Sequence, residues 1–120
     1  MRRILIPTDF SPNSWNTLEY ASNLYKNVSC KFQIVNTYDI PSSLLSSTVS
    51  SQKIGYLYDA IKKVAEKKLE LLLTDISQYL ANPKHTYETI AKPGAFSKVI
   101  QQMTTQTLNE MIVIGTKGAT

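Results

Sequence analysis

Two stretches of the chain hold residue types whose spacing suits a phosphorylated ligand. Met111-Ile112-Val113-Ile114 runs straight into Gly115-Thr116-Lys117-Gly118. Glycines spaced this way after an apolar strand let the backbone turn tightly and bring its N–H groups close to an anion. Lys117 is either a point charge aimed at a phosphate or an ordinary solvated loop lysine. Asp9 ends another apolar run, Ile4-Leu5-Ile6-Pro7-Thr8. A carboxylate there accepts from ribose hydroxyls or, as a turn aspartate, from neighbouring backbone N–H groups. Thr37 stands past a third apolar run, where a base can bond to main-chain groups whatever the side chain. A plain strand terminus is the other reading of Thr37. Together these residues suggest a nucleotide-binding domain.

Other chemistries find little support. His85 is the only histidine and Cys30 the only cysteine. A zinc cluster, an internal disulfide and a second histidine for a catalytic triad are therefore all out of reach within one chain. His85 reads as a surface or edge-strand residue. The net charge is +4, but the lysines are spread out. Their densest group, Lys62, Lys63, Lys67 and Lys68, is interleaved with Glu66 and Glu70, which describes a solvated helix face rather than a nucleic-acid surface. The apolar start, Ile4-Leu5-Ile6, is too short for a signal core or a membrane span. The reading is a cytoplasmic chain with no membrane segment and no enzymatic turnover, slow ATP hydrolysis aside.

The elements that must position these residues alternate. Arg3 to Thr8 and Lys31 to Thr37 read as strands, the first continuously apolar, as in a central strand covered on both faces. Ser11 is a good N-cap and Pro12 a good first residue for a helix running to about Lys26. Trp15 and Tyr25 lie on its apolar stripe. Asp39 to Ser51 is serine-rich and aperiodic, a connection expected to be mobile or to cover a site. Leu57, Ile61, Ala65, Leu69, Leu72, Ile76 and Leu80 mark one helix from Gln52 to about Leu80. At about 40 Å it must overhang the sheet or break. His85 to Ile90 is a weaker strand suited to a sheet edge. A helix with Phe96, Val99, Ile100 and Met103 on one face follows Lys92-Pro93-Gly94, and Met111 to Ile114 is a last strand. This order predicts an α/β domain with a parallel sheet and helices on both faces. Ligands in such folds bind beyond the carboxyl ends of the strands.

Ile4-Leu5-Ile6-Pro7-Thr8-Asp9-Phe10-Ser11, Ile34-Val35-Asn36-Thr37-Tyr38 and Met111-Ile112-Val113-Ile114-Gly115-Thr116-Lys117-Gly118 together closely resemble the universal stress protein family, over nearly the whole chain. The resemblance implies a three-layer α/β/α sandwich with a parallel sheet, here in order 3-2-1-4 with the family's fifth strand missing. It also implies a cytoplasmic, homodimeric, stress-response protein. Many members bind ATP and others do not. In those that do, the aspartate matching Asp9 reaches the nucleotide, the segment matching Thr37 contacts the base through backbone, and the motif whose first two glycines match Gly115 and Gly118 holds ribose and phosphates; Pro7, Thr8, Thr116 and Lys117 complete the expected site, with magnesium as companion ion. The sequence departs from the family in lacking the later glycine and Ser/Thr of the phosphate motif, so a C-terminally truncated copy is expected, with a natural degenerate member as the other reading. An unpaired last strand favours association with another chain. The alternative function is a dimerising interaction module with a vestigial pocket. ATP-dependent activating enzymes of related fold carry a glycine pair after the first strand, where this chain has Thr8-Asp9-Phe10-Ser11.

Overall fold

The computed structural model describes residues 2–39, 51–106 and 111–112. The elements are β1 (Arg2–Pro7), α1 (Pro12–Leu24), β2 (Cys30–Tyr38), α2 (Ser51–Tyr79), β3 (His85–Pro93), α3 (Phe96–Gln106) and β4 (Met111–Ile112). All strand pairs are parallel, and the sheet order is β3-β2-β1-β4, as expected. Strand order reverses between β1 and β4, so the first three βα units advance in one direction and the last returns. This puts the switch point at the carboxyl end of β1.

The three continuous apolar residues of β1 divide between two cores because successive side chains point to opposite faces. Ile4 and Ile6 join Phe32 and Ile34 of β2 under α1 and α2, through Leu18, Ala21, Leu69 and Ile76. Leu5 and Val35 face the other way, against Val99, Ile100 and Met103 of α3. Each such fully buried side chain contributes about 1.5–3 kcal/mol. Phe32 centres the larger core, stacked on Tyr87 and met edge-on by the His85 ring.

Local chemistry sets the element ends. Ser11 caps α1, accepting from Ser14 N–H at 3.1 Å, with Pro12 in the first turn. The helix ends at Leu24, slightly before the expected Lys26. A carbonyl just past its end finds a buried partner: His85 Nε2 lies 2.8 Å from the Tyr25 carbonyl. A carbonyl only accepts, so Nε2 carries the proton. His85 is therefore on the edge strand as expected but is only 8% exposed, a buried tie to α1 rather than a surface residue. The long helical pattern is one unbroken helix of 29 residues. It overhangs rather than breaks, and the molecule is 54 Å along its longest axis. Gly94, at φ +122°, turns the chain from β3 into α3 while its N–H donates to the Tyr38 carbonyl. Phe96 departs from its predicted place on the apolar face of α3. It is the first residue of the helix, lies past the strand ends, and is 41% exposed.

Candidate functional site

The structure brings Pro7, Thr8, Asp9 and Thr37 together at the carboxyl ends of β1 and β2. Pro7 closes the β1 ladder opposite Val35. The Thr8 N–H still donates to the Val35 carbonyl at 2.8 Å, and the chain then leaves the sheet. Successive residues of a strand turn their peptide groups to opposite neighbours. Val35 faces β1, so Thr37, two residues on, presents its N–H and C=O to the same side, beyond the end of β1. That main-chain edge is the one a base contact of the expected kind would use, although β2 itself continues through Tyr38 beside β3.

Asp9 is exposed and sits in a tight polar loop. Its Oδ1 accepts from Ser11 N–H at 2.9 Å and from the Ser14 hydroxyl, and its own N–H donates to Ser14 Oγ at 3.2 Å. Both side-chain bonds fall on Oδ1, and Oδ2 carries none among the described residues. Burial raises the Asp9 pKa, but the hydrogen bonds from Ser11 and Ser14 together outweigh it and hold the carboxyl below its ordinary value. The group is therefore an anion, anchored by one oxygen and open at the other. Both readings of Asp9 survive, since one oxygen serves the turn and the other faces solvent.

Phe10 follows at φ +64°, a left-handed conformation costly for a bulky side chain. The turn sends Phe10 inward against the core while Asp9 stays outside. Its N–H donates to Thr8 Oγ1 at 3.1 Å, and the Lys68 ammonium lies 5.5 Å from the centre of its ring. A cavity of about 510 Å³ opens behind the loop between α1 and α2, lined by Thr8, Phe10, Trp15, Leu72 and others.

Sequence reasoning passed over Asn36 and Ser14. Asn36 is buried, and its Nδ2 donates to the Thr8 carbonyl at 2.9 Å, fastening the departing loop to β2. Ser14 ties Asp9 to the first turn of α1. No sequence signal marked Ser14: a reciprocal capping box has Glu or Gln at this third helical position, whereas this serine bonds to Asp9, two residues before the cap. On the far side of Thr37, the Tyr38 ring lies 6.4 Å from that of Tyr58, whose hydroxyl donates to Asp39. Burial, then the carboxylates of Glu66 and Asp59, push the Tyr38 phenol pKa up. Gly115, Thr116, Lys117 and Gly118 lie outside the described residues, as does most of the serine-rich connection. Met111 and Ile112 place the strand that leads to the glycines beside Ile4 and Leu5, at the switch point.

The sequence matches the Universal stress protein family over residues 1–120, and the chain belongs to that family. No curated protein sequence matches it. Its fold resembles the universal stress protein UspA from Lactobacillus plantarum, with TM-score 0.73 and 15% identity over 98% of this chain and 78% of that one. It is as similar to the hypothetical protein PH0823, with TM-score 0.73 and 19% identity over 98% of this chain and 77% of the other. A universal stress protein from Burkholderia pseudomallei follows at TM-score 0.67 and 15% identity, over 95% and 80%. At these identities the likeness speaks for the fold. Among the described residues no helix is long and apolar enough to cross a membrane, and no cluster of acidic, histidine or cysteine side chains is placed to hold a metal ion.

Proposed function

We propose that the chain is an adenine-nucleotide-binding module of the stress response, acting by sensing or signalling rather than turnover. The observation that carries this reading is the pair of open groups at the switch point. Asp9 offers the free oxygen of an anchored carboxylate, and the main-chain edge of Thr37 faces the space past β1. A ribose hydroxyl donates to Asp9 Oδ2, the base bonds to the Thr37 peptide groups, and the phosphates lie toward Gly115, Thr116, Lys117 and Gly118. Magnesium, carried by the phosphates, would offset part of their charge.

The test is titration of ATP with magnesium into the chain, alongside native mass spectrometry for retained nucleotide. Saturable binding is expected, and Asp9→Asn, which keeps the loop's acceptor but removes the charge, should weaken it by about tenfold. Absence of binding, or equal binding by Asp9→Asn, overturns the assignment. The commitment of Asp9 Oδ1 to Ser11 and Ser14 favours a second reading, an interaction module that keeps Asp9 only for its loop. That reading requires a chain that binds no nucleotide yet loses stability on Asp9→Ala.

A further inference from the structure

A second cavity lies at the end of the sheet opposite the strand-end site. It opens beside the last turns of α2, where the chain turns into the edge strand β3, and has a volume of about 520 Å³. Leu73, Ile76, Ser77 and Pro83 line it together with His85 and Tyr87. His85 pairs with Cys30, the first residue of β2, so the cavity sits at the amino ends of the strands. His85 and Tyr87 are alternate residues of β3 and share one face of the sheet, with Cα atoms about 7 Å apart. Both rings pack on Phe32.

Two atoms in this wall are left unmatched. His85 Nδ1 and the Tyr87 hydroxyl are buried without a hydrogen-bond partner, and they are the only two such side-chain atoms among the described residues. Buried polar groups are ordinarily paired, so two orphans on one cavity mark it as a place for a polar partner. His85 Nε2 already donates to the Tyr25 carbonyl, which leaves Nδ1 of the neutral ring as an acceptor. Burial pushes the Tyr87 pKa up, and the Ser22 hydroxyl offsets this in part without completing a hydrogen bond to it. The phenol therefore keeps its proton and can donate it. A carboxylate only accepts and an ammonium only donates, whereas a hydroxyl does both at one atom. The lining also holds no Lys, Arg, Asp or Glu, so a charged ligand would be desolvated with nothing to pair it.

We propose that this cavity is a second ligand site, for a small neutral molecule with an apolar body and one hydroxyl, a phenol or alcohol, which donates to His85 Nδ1 and accepts from the Tyr87 hydroxyl. Leu73, Ile76 and Pro83 take the apolar body. Neither polar atom has appreciable surface of its own. Entry of the ligand therefore turns Tyr87, which is only half-buried, while His85 stays held by Tyr25. The site does not depend on nucleotide binding.

Phenol is the probe, and toluene, a similar body without the hydroxyl, is the control. His85 is the only histidine, so the two imidazole nitrogen resonances of isotope-labelled chain belong to it alone. Phenol should move the Nδ1 resonance saturably, with a dissociation constant of about 1 mM or tighter, while the Nε2 resonance keeps its position. Toluene should leave Nδ1 in place and bind at least about tenfold more weakly. Tyr87→Phe removes only a hydroxyl that has no partner, so the fold is retained, and matching circular dichroism checks this. The variant should bind phenol about three- to tenfold more weakly than the parent. An Nδ1 resonance indifferent to phenol up to its solubility limit overturns the proposal. So does equal affinity for phenol and toluene, which would make the cavity a plain apolar pocket, or a Tyr87→Phe variant that binds phenol as well as the parent.

Discussion

Replacing Asp9 separates what its two oxygens do. In Asp9→Ala the Ser11 N–H and the Ser14 hydroxyl lose their shared acceptor. The site is exposed, so the solvent-screened values for a lost helix cap apply rather than those for a buried charge. A loss of about 1–1.5 kcal/mol is expected at neutral pH. Unfolding entropy of about 2.1 cal/mol/K per residue, summed over the chain, converts this into a fall of about 4–6 °C in Tm. Asp9→Asn keeps an acceptor oxygen in place and should lose about half as much. The hydrogen bonds depress the folded-state pKa below its ordinary value of 3.8. The charge therefore stabilises the fold above that value, and its contribution is lost as pH falls through the depressed one. Urea titrations of the parent and Asp9→Asn at a series of pH values should show a stability gap that is level from about pH 7 to about pH 5 and closes in acid. A gap that widens in acid, or an Asp9→Ala variant as stable as the parent, would refute the loop's role. With the loop's cost known, any further loss of ATP affinity in Asp9→Asn belongs to the ligand.

Two other substitutions probe the frame around the site. Asn36→Leu removes the donor from the Thr8 carbonyl and should destabilise the chain by about 1–3 kcal/mol in urea, with faster amide exchange at Phe10 and Ser11. The glycines at 94 and 55 should respond with opposite sign in thermal denaturation. Gly94→Ala forces an L-residue to φ +122° and sets its Cβ 3.3 Å from Val99 Cγ2, a loss of about 1–3 kcal/mol. Gly55→Ala meets nothing within 4 Å in an exposed stretch of α2 and should gain about 0.4–1 kcal/mol.

What the sequence made legible was whatever short-range chemistry decides. Ile4-Leu5-Ile6 announced a central strand because a short apolar run closed by Pro7 suits a strand covered on both faces better than a buried helix. Ser11-Pro12 announced the start of α1 because capping is settled within a turn. Alternation of elements then announced a parallel sheet with Asp9 and Thr37 at strand ends, while the strand order came only with the resemblance to the universal stress protein family. The misses share a cause of the opposite kind. Asn36 resembles any polar strand end until its partner, the Thr8 carbonyl, arrives from 28 residues away. His85 looks like an edge residue until the end of α1, 60 residues earlier, covers it. Phe96 has the right helical phase, but phase does not reveal that the first turn of α3 begins beyond the sheet. Phe10 gives no sign of its left-handed backbone, because only the packed position of its ring against the core maintains that strain.

The same distinction runs through the strand-end site itself. Its position is a property of the fold: any chain with this strand order ends β1 at the switch point and leaves a peptide edge of β2 open past it. The carboxylate there is a property of the sequence, because Asp9 is held in its turn by Ser11 and Ser14. The fold therefore says where a ligand has room, and only the side chains placed there bear on which ligand it is.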